Sequence, residues 1–127
     1  NDVLFARLRP YLNKVYRAET SGCCSPEFYV LRSKNTSQVV PDYLAAILRS
    51  RMILAQTIHM MTGNTHPRLA NEDVAELIVP VPSMKLQEKI AAEHARRREK
   101  TRFLRQQAET DWQQAKADFE AALLGRE

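Results

Sequence analysis

Four basic side chains lie within the first 17 residues: Arg7, Arg9, Lys14 and Arg17. Guanidinium and ammonium groups pair with phosphate oxygens, and arginine also donates paired hydrogen bonds to guanine in the major groove. These residues are therefore candidates for contact with nucleic acid. The alternative is an ordinary solvated surface, and the four residues by themselves do not separate the two interpretations.

A second polar group lies in the loop after Gly63 and consists of Asn64, Thr65, His66 and Arg68. Polar side chains on a loop between rigid elements are typical of groups that recognise bases. Pro67 restricts the backbone of His66 to an extended conformation. The loop is a second candidate for DNA contact, and a purely structural turn is the alternative.

The sequence lacks the motifs of common enzyme sites. It has no Gly-x-Gly-x-x-Gly, phosphate loop, Gly-x-Ser-x-Gly or Asn/Asp-Pro-Pro-aromatic motif. His59, His66 and His94 have no metal-ligand spacing with one another. Cys23 and Cys24 are adjacent and cannot join distant parts of the chain, so we interpret them as reduced thiols. We expect no catalysis, no metal and no cofactor here.

A long uninterrupted helix is predicted for the last third of the chain. Ser83 is a good N-cap, and no Gly or Pro follows before Gly125. A helix from Met84 to Leu124 would span roughly 60 Å, which is more than a small domain can cover. Its apolar stripe therefore needs a partner helix. The stripe consists of Leu86, Ile90, Leu104, Ala108, Trp112, Ala115, Phe119 and Leu123.

Charge is distributed unevenly along this helix. Residues 96–105 contain six basic residues and one acidic residue, whereas residues 109–127 contain two basic and five acidic residues. A copy in antiparallel orientation would place opposite charges together, and a parallel copy would place like charges together. The sequence therefore predicts antiparallel pairing. For the basic segment itself, contact with DNA phosphate, a docking surface and a solvated face all remain open.

The first 82 residues predict short strands and helices. Alternating apolar and β-branched residues indicate strands, and Pro80 and Pro82 place the last of them at a sheet edge. Apolar residues at helical spacing, bounded by Pro41 and Gly63, indicate one helix. The predicted strands are Val3–Phe5, Tyr11–Tyr16, Phe28–Arg32 and Leu77–Val81, and the predicted helices are Pro41–Met61 and a short turn capped by Asn71 that runs to Glu76.

Together these elements predict an α+β chain with a small mixed α/β domain at residues 1–82 and a long helix at 83–125. The net charge of +4 and the pI near 9.3 permit nucleic-acid binding without requiring it. No apolar run approaches the roughly 20 residues that cross a membrane, and no signal peptide is recognisable. The chain begins with Asn1, so we interpret it as a fragment of a longer protein. The reduced thiols favour a cytoplasmic location.

Several segments, taken in order, resemble the DNA specificity subunit of type I restriction-modification systems. Thr62–Leu69 is similar to the family's Gly-containing turn before a short helix, and Leu77–Pro82 is similar to its strand with a final Pro-x-Pro pair. Gln87 followed by Ile90 is similar to the start of its long helix. Leu86 departs from the family, which commonly has Glu at that position, and adds an apolar side chain.

The N-terminal segments extend this resemblance over nearly the whole chain. Asp2–Val15 is similar to the family's central strand pair, and Glu27–Arg32 is similar to its next strand. The Gly-containing turn recurs in members with different specificities, which favours a structural role for residues 63–68. No single segment is highly specific, so the resemblance depends on the ordered set.

The resemblance implies part of a target-recognition domain, followed by a helix that sets the distance between two half-sites in double-stranded DNA. It implies a non-catalytic subunit that directs adenine methylation and restriction. The implied partners are methyltransferase subunits, which bind S-adenosylmethionine, and a translocase-nuclease subunit. The helix partner is the equivalent helix of the other half of the parent, or a second copy when the fragment is isolated.

Two other functions remain open. The same module also follows a methyltransferase or a methyltransferase-nuclease in single-chain systems, which would make this chain the C-terminal part of an enzyme. A coiled-coil scaffold without a DNA role would explain the long helix, but it leaves the preceding domain unexplained. Trp112 and Phe119 are interpreted as helix-helix contacts in every case.

Overall fold

A computed structural model describes residues 1–63 and 65–125 of the chain. The chain has α+β architecture with a long C-terminal helix, as predicted. It divides into two compact units, Asn1–Ala91 and Ala92–Glu127, and the boundary lies inside that helix. No helix among the described residues is long and apolar enough to span a membrane.

Three short antiparallel strands form the sheet of the first unit. They are β1 (Val3–Ala6), β2 (Val15–Arg17) and β3 (Phe28–Leu31), and β1 lies between the other two. Val3 and Phe5 alternate with Leu4 and are almost completely buried, because successive side chains of a strand point to opposite faces. The inner face of the sheet thereby contributes to the hydrophobic core.

Two helices, not one, follow the sheet, so the prediction of a single helix from Pro41 to Met61 is wrong. They are α1 (Pro41–Leu48) and α2 (Arg51–Met60). Ser50 has an extended backbone between them, and its hydroxyl accepts a 3.4 Å hydrogen bond from the N–H of Ile53. Serine favours this capping geometry over a helix interior, so the chain turns while apolar residues continue.

The predicted strand Tyr11–Tyr16 is also wrong in its first half. Pro10–Leu12 forms a 3-10 turn, and Asn13 has a left-handed backbone with φ of 49°. The Asn13 side chain donates a 2.7 Å hydrogen bond to the carbonyl of Arg49, at the break between α1 and α2. Asparagine tolerates this conformation, which ends the turn and lets β2 begin at Val15.

The predicted strand Leu77–Val81 does not form, although the segment is fully described. Side chains take the place of a neighbouring strand. The Gln56 amide bonds both the N–H and the carbonyl of Ile78, and the Tyr43 hydroxyl donates to the carbonyl of Pro80 at 2.8 Å. Prolines cannot donate to a ladder, so side-chain hydrogen bonds satisfy the segment more completely than a strand could.

The remaining helices are α3 (Asn71–Ala75) and α4 (Met84–Leu123). Ala70, not Asn71, is the N-cap of α3, and its N–H donates to the Asp73 carboxylate at 2.6 Å. α4 is 40 residues long and is continuous through both units. Within the first unit, its face bearing Gln87 and Ala91 is buried.

The core of the first unit joins the inner face of the sheet to α1, α2 and the loop after α2. Leu48, Ile53 and Leu69 are each at most 2% exposed. At about 25 cal/mol per Å² of apolar surface, burial of these side chains is the main stabilising contribution to the unit. The remaining members of the cluster are Val3, Phe5, Val15 and Ala45.

Candidate nucleic-acid interface

The loop after α2 closes on itself and docks against the chain that follows β1. Thr62 and Arg68 exchange backbone hydrogen bonds of 3.1 and 2.9 Å, which close the loop. Gly63 has a φ of +92°, a left-handed conformation that glycine adopts without strain. The Arg9 N–H donates to the carbonyl of Pro67 at 2.8 Å. The fold thereby brings the first basic pair and the polar loop together.

A second backbone hydrogen bond continues this contact at Leu69, whose N–H donates to the carbonyl of Arg7 at 3.0 Å. Leu69 is 1% exposed, so the base of the loop is anchored in the core. Its carbonyl accepts a 2.8 Å hydrogen bond from the Tyr29 hydroxyl on β3. Leu69 therefore connects β3, the loop and the hydrophobic core.

Arg68 forms a bidentate ion pair with Glu27, which lies just before β3. Its Nη2 is 2.8 Å from Oε1 of the carboxylate, and its Nε is 3.1 Å from Oε2. The hydrogen bonds from Arg68 lower the pKa of Glu27, and the charge of nearby Arg7 lowers it further. A further guanidinium N–H of Arg68 donates to the carbonyl of His66 at 3.2 Å. The charge of Arg68 is therefore largely balanced within the fold.

Arg7 and Arg9 have fewer side-chain hydrogen-bond partners than Arg68. The guanidinium of Arg7 lies 5.4 Å from the centre of the Tyr29 ring, a cation-π distance. The Nε atoms of both arginines are buried and have no hydrogen-bond partner among residues 1–63 and 65–125. Arg9 also has a left-handed backbone, with φ of 50° and ψ of 61°. Strained non-glycine residues of this kind cluster at functional sites, which favours a functional role for Arg9.

The other candidate residues have different surroundings. Lys14 is exposed, and its backbone carbonyl accepts a hydrogen bond from Ala6. Arg17 lies opposite Val3, at the other end of β1 from Arg7, and its Nε is 3.0 Å from the Asp42 carboxylate. The fold therefore does not bring Arg17 to the loop.

Within the loop, Thr65 and His66 are exposed and available to a partner. Asn64, also a candidate from the sequence, lies outside the described residues. The two exposed side chains are adjacent to the closed base formed by Thr62 and Arg68. The loop thus presents polar groups from a fixed support.

Glu27 and Tyr29 were not identified as site residues from the sequence. Glu27 is 41 residues from Arg68, and Tyr29 is 40 residues from Leu69. No local pattern connects residues so far apart, because the pairing depends on how β3 lies beside β1. Residues 1–32 contain the acidic residues Asp2, Glu19 and Glu27, and the sequence did not indicate which of them pairs with Arg68.

A separate cavity of about 680 Å³ lies over the outer face of the sheet. Leu4, Tyr16 and Val30 form its apolar floor, and the free, exposed Cys23 and Cys24 lie at its wall. None of the basic candidates Arg7, Arg9, Lys14 and Arg17 lines it. This cavity is therefore distinct from the candidate interface.

The described residues contain no group of three or more His, Cys, Asp or Glu side chains that could hold a metal ion. The three histidines lie in different parts of the fold. His59 is exposed near the end of α2, His66 is in the loop, and His94 is in α4. The arrangement offers charge and hydrogen bonds to a partner, without an evident nucleophile or metal centre.

The apolar stripe of α4 is exposed along the second unit. Trp112 is 61% exposed, Phe119 is 64% exposed and Leu123 is 70% exposed. Leu86 and Ile90, in the first unit, are exposed as well. Glu93 pairs with both Arg96 and Arg97, and these hydrogen bonds lower its pKa to about 2. An uncovered stripe of large side chains is typical of a helix that binds another helix.

Comparisons with known proteins show the family and the fold. Residues 1–93 match the family model described as the type I restriction modification DNA specificity domain. The fold is similar to the crystal structure of the HsdS subunit from Thermoanaerobacter tengcongensis, with a TM-score of 0.63 and 32% sequence identity. That similarity covers 87% of this chain and 30% of the HsdS chain, so this chain spans less than a third of that structure. A search of curated proteins gave no match.

Proposed function

We propose that this chain, which belongs to the type I restriction-modification DNA specificity family, recognises part of a DNA target sequence through the surface around Arg9. The docking of the polar loop on the chain after β1 is the observation that carries this proposal. It places cationic and hydrogen-bonding side chains of two distant segments side by side on a rigid support. Phosphate contacts give affinity and orientation, whereas base contacts give specificity.

The proposed division of roles follows from the surroundings of each side chain. Arg7 and Arg9 supply positive charge, and the Nε atom of each lacks a hydrogen-bond partner among the described residues, although Arg7 also lies near the Glu27 carboxylate. Thr65 and His66 supply exposed hydrogen-bonding groups on the loop, and Lys14 supplies a further exposed cation. Arg17 would contribute least, because Asp42 already pairs with it.

DNA binding is tested with a labelled duplex of about 30 base pairs, first with randomised sequence and then with any sequence that the chain enriches. Each of Arg7→Gln and Arg9→Gln should weaken binding and lower the salt slope by about one. Arg32→Gln is the matched control, because Arg32 pairs with Asp2 at the opposite end of the sheet. A chain that binds no DNA at low salt would contradict the proposal and favour a coiled-coil scaffold.

We further propose that the chain is a non-catalytic part of a restriction-modification complex and directs adenine methylation. Methyltransferase subunits that bind S-adenosylmethionine, and a translocase-nuclease subunit, would be its partners. Mapping of methylated adenines in cells with the parent gene and its methyltransferase tests this assignment. A two-part motif with a fixed gap is expected. No new methylation, with a methyltransferase shown to be active beside another specificity subunit, would contradict it.

Antiparallel pairing of α4 is the proposed means of assembly. Leu104 and Trp112 lie four residues on either side of Ala108, and Thr101 and Ala115 lie seven residues on either side. Two antiparallel helices that cross at Ala108 therefore place Leu104 of one helix opposite Trp112 of the other. In that alignment, the basic segment 96–105 of one helix lies beside residues 111–120 of the other, where acidic residues predominate.

Cysteine cross-linking tests the orientation, in chains with Cys23 and Cys24 changed to Ser. One copy with Thr101→Cys and another with Ala115→Cys should form a disulfide with each other in the antiparallel pair. Two copies with Thr101→Cys should not, because the symmetric alignment places them roughly 20 Å apart along the helix. Efficient cross-linking of identical copies would instead support a parallel pair.

The length of α4 is proposed to set the number of unrecognised base pairs between half-sites. DNA advances about 3.4 Å per base pair, and four helical residues advance about 6 Å. Inserting four residues after Gln107 in the parent protein should lengthen the gap in its methylation motif by one or two base pairs. An unchanged gap would contradict this role of the helix.

A further inference from the structure

We propose that Glu27 and Arg68 form a latch, and that both are positioning residues that hold the 65–69 segment in its DNA-binding arrangement. The inference rests on the function proposed above and assigns Arg68 a role different from direct DNA contact. The latch joins residues 41 positions apart in the sequence, from the start of β3 to the base of the loop.

The geometry of the latch restricts the loop more than a single surface ion pair does. Two parallel N–H to carboxylate hydrogen bonds fix the planes of the guanidinium and the carboxylate relative to each other. The backbone of Glu27 and the backbone next to Arg68 are also both hydrogen-bonded to Arg7, which directly follows β1. The Arg7 N–H donates to the carbonyl of Glu27 at 3.0 Å, and the Leu69 N–H donates to the carbonyl of Arg7.

Three of the five N–H donors of Arg68 are already used within the fold. Two of its nitrogens are bonded to Glu27, and a third donates to the carbonyl of His66 within the loop. The side chains of Arg68 and Glu27 are 42% and 34% exposed, so solvent only partly screens their attraction. The bond to His66 also means that the position of Arg68 determines where the loop backbone lies.

Substitution of Glu27 distinguishes the two possible roles of Arg68, because the two roles predict opposite changes in affinity for DNA. Glu27→Gln removes a negative charge, so if Arg68 contacted DNA directly, affinity for a duplex would rise. If the latch positions the loop, affinity should instead fall, by about fivefold. Arg68→Lys should produce a similar loss, because lysine keeps the charge but cannot form the bidentate pair.

The matched control is Asp2→Asn. Asp2 forms an equivalent bidentate ion pair with Arg32, with distances of 2.6 and 2.8 Å, at the other end of the sheet. The substitution removes the same charge without disturbing the latch. It should leave affinity for the randomised duplex of about 30 base pairs unchanged or slightly higher.

Amide hydrogen exchange provides a readout that does not depend on DNA. Glu27→Gln and Arg68→Lys should each accelerate exchange at the Arg9, Arg68 and Leu69 amides, whose hydrogen bonds hold the loop in place. The buried Ile53 amide in α2 should exchange as before. The double variant should behave like either single variant, because both changes remove the same interaction.

Faster exchange in the loop together with weaker DNA binding in both latch variants would support the inference. Unchanged exchange would overturn the latch itself, and tighter binding by Glu27→Gln would overturn its positioning role. Absence of DNA binding by the unchanged chain would instead overturn the proposed function, and with it the DNA role of the latch. Even without DNA binding, amide hydrogen exchange would show whether Glu27 and Arg68 hold the loop.

Discussion

The Gln87 side chain forms hydrogen bonds with three backbone groups. It is completely buried at the start of α4, where its Nε2 donates to the carbonyls of Gln38 and Pro82 at 2.7 and 2.9 Å. Its Oε1 accepts from the N–H of Val40 at 3.0 Å. The amide therefore pairs backbone groups of the loop before α1 and of the segment before α4.

Gln87→Ala should lower the free energy of unfolding by about 1–3 kcal/mol, because it removes a buried amide and leaves the backbone groups that it bonds without these partners. Chemical denaturation measures the change. Gln113→Ala is the control, since Gln113 is exposed and bonds only Glu109 in its own helix among the described residues. Equal effects of the two substitutions would show that the buried amide has no special role.

Arg9 combines an unfavourable backbone with a candidate binding role. A left-handed conformation costs an ordinary residue roughly 1–2 kcal/mol, and glycine avoids this cost. Arg9→Gly should therefore raise the free energy of unfolding by about 1 kcal/mol or less and weaken DNA binding. Arg9→Ala should weaken binding equally without the gain in stability. If Arg9→Gly instead weakens both properties, the side chain is primarily a structural group.

The break between α1 and α2 has consequences at the scale of elements. Because the chain turns at Ser50, α1 buries Tyr43 and Leu48 while α2 buries Ile53 and Thr57 in the same unit. Tyr43 and Gln56, one from each helix, then hold the segment 77–82 through its Pro80 and Ile78 carbonyls. A single straight helix could not supply both contacts in this arrangement, so the turn and the segment depend on each other.

The stripe of α4 should make the isolated chain self-associate. Trp112→Ala should weaken association by about tenfold or more, because aromatic side chains dominate helix contacts. Phe103→Ala is the matched control, since Phe103 is 64% exposed like Phe119 but lies away from the stripe. Sedimentation equilibrium measures both. Equal loss from the two substitutions would indicate association through a different face.

Acid should destabilise the whole molecule through its carboxylate pairs. Hydrogen bonds from arginine lower the pKa values of Asp2, Glu27 and Glu93, that of Glu93 from 4.5 to about 2. A lowered folded-state pKa contributes stability above the unfolded value, and this contribution disappears as the pH falls through the folded value. The free energy of unfolding should therefore decrease between about pH 4.5 and pH 2.

The combined variant with Asp2→Asn, Glu27→Gln and Glu93→Gln tests this source of acid sensitivity. Denaturation curves at neutral pH and between pH 4.5 and 2 should show a smaller loss of stability on acidification than the unchanged chain shows. Parallel losses in the two proteins would place the acid sensitivity in other carboxylates.

Local patterns were sufficient where an element depends on its own residues. The β-branched and aromatic residues at Val3–Phe5 predicted β1, and the uninterrupted run after Ser83 predicted α4. The same approach failed at Ser50 and at residues 77–81, where contacts with distant residues decide the conformation. In the candidate site, the basic and polar residues were recognisable by type, whereas the pairing of Arg68 with Glu27 was not.

The sequence by itself determined the family, the α+β class and the long helix with its exposed stripe. These properties follow from the order and spacing of residue types along the chain, which can be recognised without knowing which distant residues meet. Only the tertiary structure decided which cations are already paired, since Arg17 reaches Asp42 and Arg68 reaches Glu27 across the fold. The physical reason is distance: electrostatic and hydrogen-bond partners are set by proximity in space, which strand order and loop docking create.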